Sequence, residues 1–321
     1  MGETVTAHKT AWNPWHGCHK CSEGCRNCYM YALDKMRGVE TDAGVVRKTN
    51  DFDMPLRKNR QKEYKVKSGE RINVNMTSDT FVEEADEWRD EMWDIIRQRP
   101  DVVFWVLTKR PERYEGHLPK DWGDGYDNVI MSITCENQEM FDKRIDYLLN
   151  LPAKHKGLCL APLISDIDIS RALRTRKIEE VFVGGERYDD PRPCRLEWVE
   201  HISRTCEYYK TNFVFYETGT NFWAKDKSYW FQYKNQQSAY AYFSGLNRRF
   251  YDVLFDLKDI DGNIIVPRKR QFNASTCLFC SNQACCNGCT KCGTCKDVNL
   301  MNEDEFLLYQ EARMKEHDYH R

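Results

Sequence analysis

Four cysteines within eleven residues, Cys18-x2-Cys21-x3-Cys25-x2-Cys28, stand in a turn that also carries Trp12, Trp15 and Gly17. Thiolates are the ligands of iron–sulfur clusters, and a short loop this dense in them fits that chemistry. The part running Cys21-Ser22-Glu23-Gly24-Cys25-Arg26-Asn27-Cys28 holds three cysteines. That is one fewer than a [4Fe–4S] cube needs for a cysteine on every iron, so one iron stays open to a substrate or cofactor. Two CxxC pairs are also able to ligate one tetrahedral Zn²⁺. The three-residue spacer, however, leaves little chain to fold around such an ion.

The elements around the loop must position it. Residues 27–36 read as a helix. Residues 71–79 alternate like a strand, and residues 82–98 follow with Ala85, Trp88, Met92 and Ile95 at helical spacing. The strand-then-helix unit recurs: residues 102–108 and 128–134 are apolar runs, the second followed by a helix to Asn150, and residues 157–163, 180–184 and 212–217 continue the series. Such alternation over about 220 residues predicts α/β architecture, a parallel sheet with helical crossovers forming a partial or full (β/α) barrel. The strands end on polar residues: Ser78 and Asp79, Lys109 and Arg110, Glu136 and Asn137, Glu186 and Arg187. In barrels that edge builds the active site, although strand ends are also polar simply because loops are.

The spacing CxxxCxxC resembles the signature of the radical S-adenosylmethionine (SAM) enzymes, whose open iron is chelated by the amino and carboxylate groups of SAM. Asn27 departs from the pattern, since an aromatic usually stands before the last cysteine and here Tyr29 follows it. The wider stretch from Trp12 to Cys18, running on to Gly24-Cys25-Arg26-Asn27-Cys28-Tyr29, resembles a phage-associated family of unknown function with the motif C-x6-C-x2-C. That motif would use Cys18, Cys25 and Cys28, whereas the superfamily spacing uses Cys21 in place of Cys18. The same family has, in order, counterparts of Ser78-Asp79, Leu107-Thr108-Lys109-Arg110-Pro111-Glu112, Glu136-Asn137-Gln138 and Val183-Gly184-Gly185-Glu186. The resemblance covers roughly residues 10–220. It implies a partial barrel of the radical SAM type with the cluster loop after the first strand, SAM as cofactor, and an external electron donor such as flavodoxin or ferredoxin. On that reading Asp79 or Ser78 accepts from the SAM ammonium, Lys109 or Arg110 pairs with its carboxylate, and Glu136 or Asn137 bonds the ribose. Gly184 and Gly185 leave backbone room beneath a ligand with Glu186 and Arg187 facing substrate, or else form a structural turn.

With 321 residues, a net charge of −2 and 31% charged residues, the chain suits a large soluble enzyme and has no global basic field to mark a nucleic-acid binder. Its start lacks an apolar signal core and no apolar run is long enough to span a membrane, so the expected compartment is a reducing cytosol in which clustered cysteines mean metal. The rhythm of the barrel domain, residues 1–221, stops in an extension covering 222–321. There Asp259 to Asn263 reads as a turn between strands. The extension then carries Cys277-x2-Cys280-x4-Cys285-Cys286-x2-Cys289-x2-Cys292-x2-Cys295. This segment resembles ferredoxin-like ligation and predicts a second [4Fe–4S] cluster, with thiolate-sharing zinc ions as the competing use. Interspersed rings and cations, among them Tyr240, Tyr242, Phe243, Arg248, Arg249, Phe250, Arg268, Lys269 and Arg270, permit a nucleic-acid surface. An ordinary small core with a solvated face reads them equally well. Nucleic-acid or nucleotide modification by the same radical chemistry and a non-catalytic iron–sulfur or zinc module are the alternative functions.

Overall fold

The computed structural model describes residues 10–39 and 45–270. The cysteines from Cys277 to Cys295 lie outside the described residues, and so do the metal calls made on them. Seven strands form one sheet: β1 (Thr10–Trp12), β2 (Arg71–Val74), β3 (Val103–Thr108), β4 (Val129–Thr134), β5 (His155–Leu160), β6 (Glu180–Gly184) and β8 (Asn212–Glu217). Their spatial order is their chain order, and each neighbouring pair is parallel. The intervening β7 (Cys194–Arg195) belongs to a second sheet with β9 (Asn221–Ala224) and β10 (Lys227–Trp230).

Alternation decides which side chains face the helices. Ile72 and Val74, Phe104 and Val106, Met131 and Ile133, Leu158 and Leu160, and Val181 and Val183 point outward into the main core. There they meet Met92, Ile95 and Ile96 of α2 (Asp86–Arg97), Phe141, Ile145 and Leu148 of α3 (Gln138–Asn150), Leu173 of α4 (Ser170–Arg174), and Val199 and Ile202 of α5 (Leu196–Tyr209). β4 and β6 are buried at every position because both of their faces are covered.

The other face is concave, and one ion pair demonstrates the curl. Arg71 opens β2 and Glu180 opens β6, four strands away, a span of about 19 Å if the sheet were flat. Their side chains nevertheless meet bidentately at 2.7 and 2.6 Å. The guanidinium lies against the adjoining rings of Trp105 and Phe182, with centroids 5.2 and 5.1 Å away, and Trp105 Nε1 donates to Ser132 Oγ at 2.7 Å. This plug fills the inside of the curl at the N-terminal ends of the strands. The sheet is thus a half-barrel, open between β1 and β8, which corresponds to the partial rather than the closed form expected.

Residues 10–248 and 256–267 lie within one compact unit, so β9, β10 and α6 (Lys234–Phe243) belong with the sheet and the sequence boundary at 221/222 falls inside β9. Leu257–Lys258 pairs antiparallel with Ile264–Val266, and Asp259 N–H donates to Asn263 O at 2.9 Å, the turn that the sequence signals. In the other unit, Tyr251–Val253 pairs antiparallel with Lys269–Arg270. Among the described residues no helix is long and apolar enough to cross a membrane.

Candidate metal centre

The cysteine loop follows β1 and sits on the C-terminal edge of the sheet, held from four strand ends. After β2, Thr77 O accepts from Gly17 N–H at 3.2 Å and the Ser78 hydroxyl donates to Gly17 O. After β3, Arg110 donates to His19 O at 2.9 Å and approaches Cys18 Sγ at 3.6 Å. After β4, Glu136 accepts from Gly24 N–H at 2.9 Å while its other oxygen takes Arg144 at 2.9 Å. After β6, Glu186 accepts from Asn27 Nδ2 at 3.0 Å and is clamped by Arg192, whose Nη2 also donates to Glu23 O at 2.9 Å. Gly24 lies so close to Glu136 that a Cβ there would stand 2.8 Å from Glu136 Cδ.

Strand-end residues singled out in the sequence are therefore brought together, but Ser78, Arg110, Glu136 and Glu186 grip the loop. Asp79 accepts from Phe81 N–H (2.9 Å), Thr108 Oγ1 (2.6 Å) and Lys109 N–H (2.8 Å), and pairs with Arg110 at 3.3 Å. Its carboxylate is saturated and braces the β3 turn instead of presenting an acceptor for an ammonium. Asn137 caps α3, accepting from Met140 N–H at 2.9 Å, which gives its side chain a helix-terminating job in place of a ribose contact. Sequence reasoning missed Arg192, and it missed the reason for Asn27. The departure from an aromatic at that position is answered by two bonds of the amide, to Glu186 and to Asp190 O at 3.0 Å. The acid ending β6 was the available signal, since a buried carboxylate needs donors.

Lys109 differs from its neighbours. Its ammonium makes no ion pair or hydrogen bond among the described residues. Burial works against its charge, but the field of Cys25, Cys28, Glu136 and Asp79 outweighs burial and raises its pKa. It is a retained cation beside the thiols with its donors unspent. Glu136 keeps its charge for related reasons. Burial opposes ionisation, and bonds from Ser22 and Gly24 together with Arg144 and Lys109 hold the carboxyl below its usual range.

Cys21 and Cys25 bring their sulfurs to 4.0 Å. The contact between them favours the thiolate on Cys25, with Lys109 assisting and burial opposing, and raises Cys21 in turn. Burial and Asp79 push Cys18 up to about 12 against Arg110, and burial raises Cys28. None of the four is in a disulfide. Among the described residues no three His, Cys, Asp or Glu side chains converge on one single-ion position.

A family model described as "Protein of unknown function (DUF5131)" matches residues 3–252. No curated protein and no solved structure matches the chain.

Proposed function

The chain belongs to the DUF5131 family, and since that family's function is unknown we propose from the site itself that this is a radical SAM enzyme with a [4Fe–4S] cluster in the cysteine loop. The observation that carries the reading is the convergence of four strand ends on a loop of unbridged cysteines, beside a lysine ammonium with no partner among the described residues. The donor set fits such a cluster. Cysteines on a cluster cap different irons and need to stand around a perimeter rather than at one point, and Lys109 and Arg110 act toward the thiolate form against the burial that raises Cys18 and Cys28.

Cys21, Cys25 and Cys28 would hold the cluster, because Cys21 already adjoins Cys25 and Cys18 is engaged by Arg110. Held there, such a cluster would supply the one-electron reduction by which SAM is cleaved to methionine and a 5′-deoxyadenosyl radical able to take hydrogen from a substrate. The chain's own part is placement. Glu136, Glu186 and Arg110 fix the loop, and Lys109 offers its ammonium to the SAM carboxylate. An external one-electron donor completes the reaction.

Protein purified without oxygen should contain iron and sulfide at the N-terminal loop. Adding SAM to the reduced protein should shift the electron paramagnetic resonance signal and slowly release 5′-deoxyadenosine. The loop's iron should disappear in Cys21→Ala, Cys25→Ala and Cys28→Ala and survive in Cys18→Ala. Zinc in place of iron, or a reducible cluster that neither binds nor cleaves SAM, sinks the proposal in favour of a metal-binding module. Survival of iron in Cys21→Ala with loss in Cys18→Ala overturns the ligand assignment alone.

A further inference from the structure

The small sheet of β7, β9 and β10 has two unlike faces. Phe222 and Cys194 are buried on one of them, where Phe222 packs against Phe215 and Tyr240 with centroids 6.1 and 5.0 Å away. Directly paired residues share a face. Arg195 pairs with Trp223, Trp223 with Ser228, and Asn221 with Trp230, so these five side chains make up the opposite face. The Arg195 guanidinium lies over the Trp223 ring at 5.3 Å and the Trp198 ring at 5.9 Å, and Trp223 Nε1 donates to Asn221 Oδ1 at 3.0 Å, which fixes the ring's orientation. Trp230 is 62% exposed.

We propose that this face is a stacking platform for a single strand of nucleic acid. It carries indoles, a guanidinium, an amide and a hydroxyl, groups that stack on bases and bond to phosphates. Trp230 stands diagonal to Trp223 across the β9–β10 pair, about 7–8 Å away, near enough for neighbouring nucleotides to stack on both rings. The charge around it is complementary. From Phe222 to Leu246 the cations are Lys225, Lys227 and Lys234 and the sole acid is Asp226, in a chain whose net charge is −2. Glu197, the other carboxylate at the β9–β10 turn, accepts the Lys225 N–H at 2.7 Å and is held against the turn backbone. Rings interleaved with cations grip unpaired bases and their phosphates without sequence preference, whereas a duplex keeps its bases inside. The reading stands independently of the cluster, because none of these residues touches the thiols.

The test is fluorescence anisotropy of labelled oligothymidylate and oligouridylate with the full chain at low salt, without SAM or reductant. Single strands should bind, a duplex of the same length more weakly, and affinity should fall steeply with salt. Trp230→Ala and Trp223→Ala should each weaken binding about tenfold, with far-UV circular dichroism confirming that the exposed Trp230 variant is folded. Arg195→Gln should reduce the salt dependence. Absence of binding, affinity unchanged in both tryptophan variants, or equal binding of polyglutamate overturns the proposal, and any of these leaves the cluster reading untouched.

Discussion

At the scale of the residue, Asp79 and Lys109 are neighbours with opposite duties, and one experiment separates them. Asp79→Ala strands Thr108, Arg110 and two backbone N–H groups in a buried corner and should cost about 3 kcal/mol of stability in denaturant unfolding. Lys109→Met removes a cation that makes no hydrogen bond or ion pair among the described residues but sits in the favourable field of Cys25, Cys28, Glu136 and Asp79. It should cost less stability than Asp79→Ala yet weaken SAM binding by about 1.5–3 kcal/mol, one charge-assisted hydrogen bond. Equal stability losses in the two variants would contradict this division. The sequence places both residues correctly at a strand end, but spacing does not tell a carboxylate that faces a ligand from one that faces the turn next to it. That distinction depends on where Thr108 Oγ1 and the Lys109 amide point, and those directions are set only when β2 and β3 pair.

At the scale of the element, the cysteine loop is seated by contact as much as by hydrogen bonding. Gly24→Ala would drive a methyl group into Glu136, which Arg144 holds from behind, so neither partner yields cheaply. The substitution should cost about 1–3 kcal/mol and lower the iron content of the loop in anaerobically purified protein. Full iron with an unchanged melting temperature would show that the seat is looser than the geometry implies. Most elements were legible beforehand because their apolar periods are strong, as in α2, β3, β4 and β8. The short β1, β7, β9 and β10 were not, since two to four residues carry too little period to read. Their pairing across distant chain segments, Thr10 with Ile72 or Cys194 with Phe222, has no local signature. Hence residues 222–248 look detached from the barrel in sequence, whereas they lie in one compact unit with it.

At the scale of the whole molecule, stability should depend on pH through one corner of the fold. Lys156, 4% exposed in β5, donates to Leu149 O at 3.3 Å beside Lys177, which donates to the same carbonyl at 3.0 Å. Burial, with Lys177 adding, lowers the Lys156 pKa to about 8. Between about pH 8 and the ordinary lysine value near 10.4 this site binds fewer protons folded than unfolded, so Lys156 contributes stability that rises with pH across that window, while the thiols of Cys135, Cys194 and Cys206, raised by burial, act in the opposite sense. Lys156→Met should add up to about 3 kcal/mol at pH 7 and progressively less toward pH 10. Urea unfolding of both proteins from pH 7 to 10 checks this, and a gap between them that stays constant across the window would refute it.

A half-barrel, unlike a closed one, has two raw borders at which a foreign strand can be added. On the β8 side that border is answered from within. Phe213 exchanges backbone bonds with Arg248 at 2.7 and 3.0 Å, and Asn247 Oδ1 takes the Phe215 N–H at 2.7 Å. The short segment after α6 thus works as a selvedge, using up the donors and acceptors along which copies of the chain would otherwise knit edge to edge.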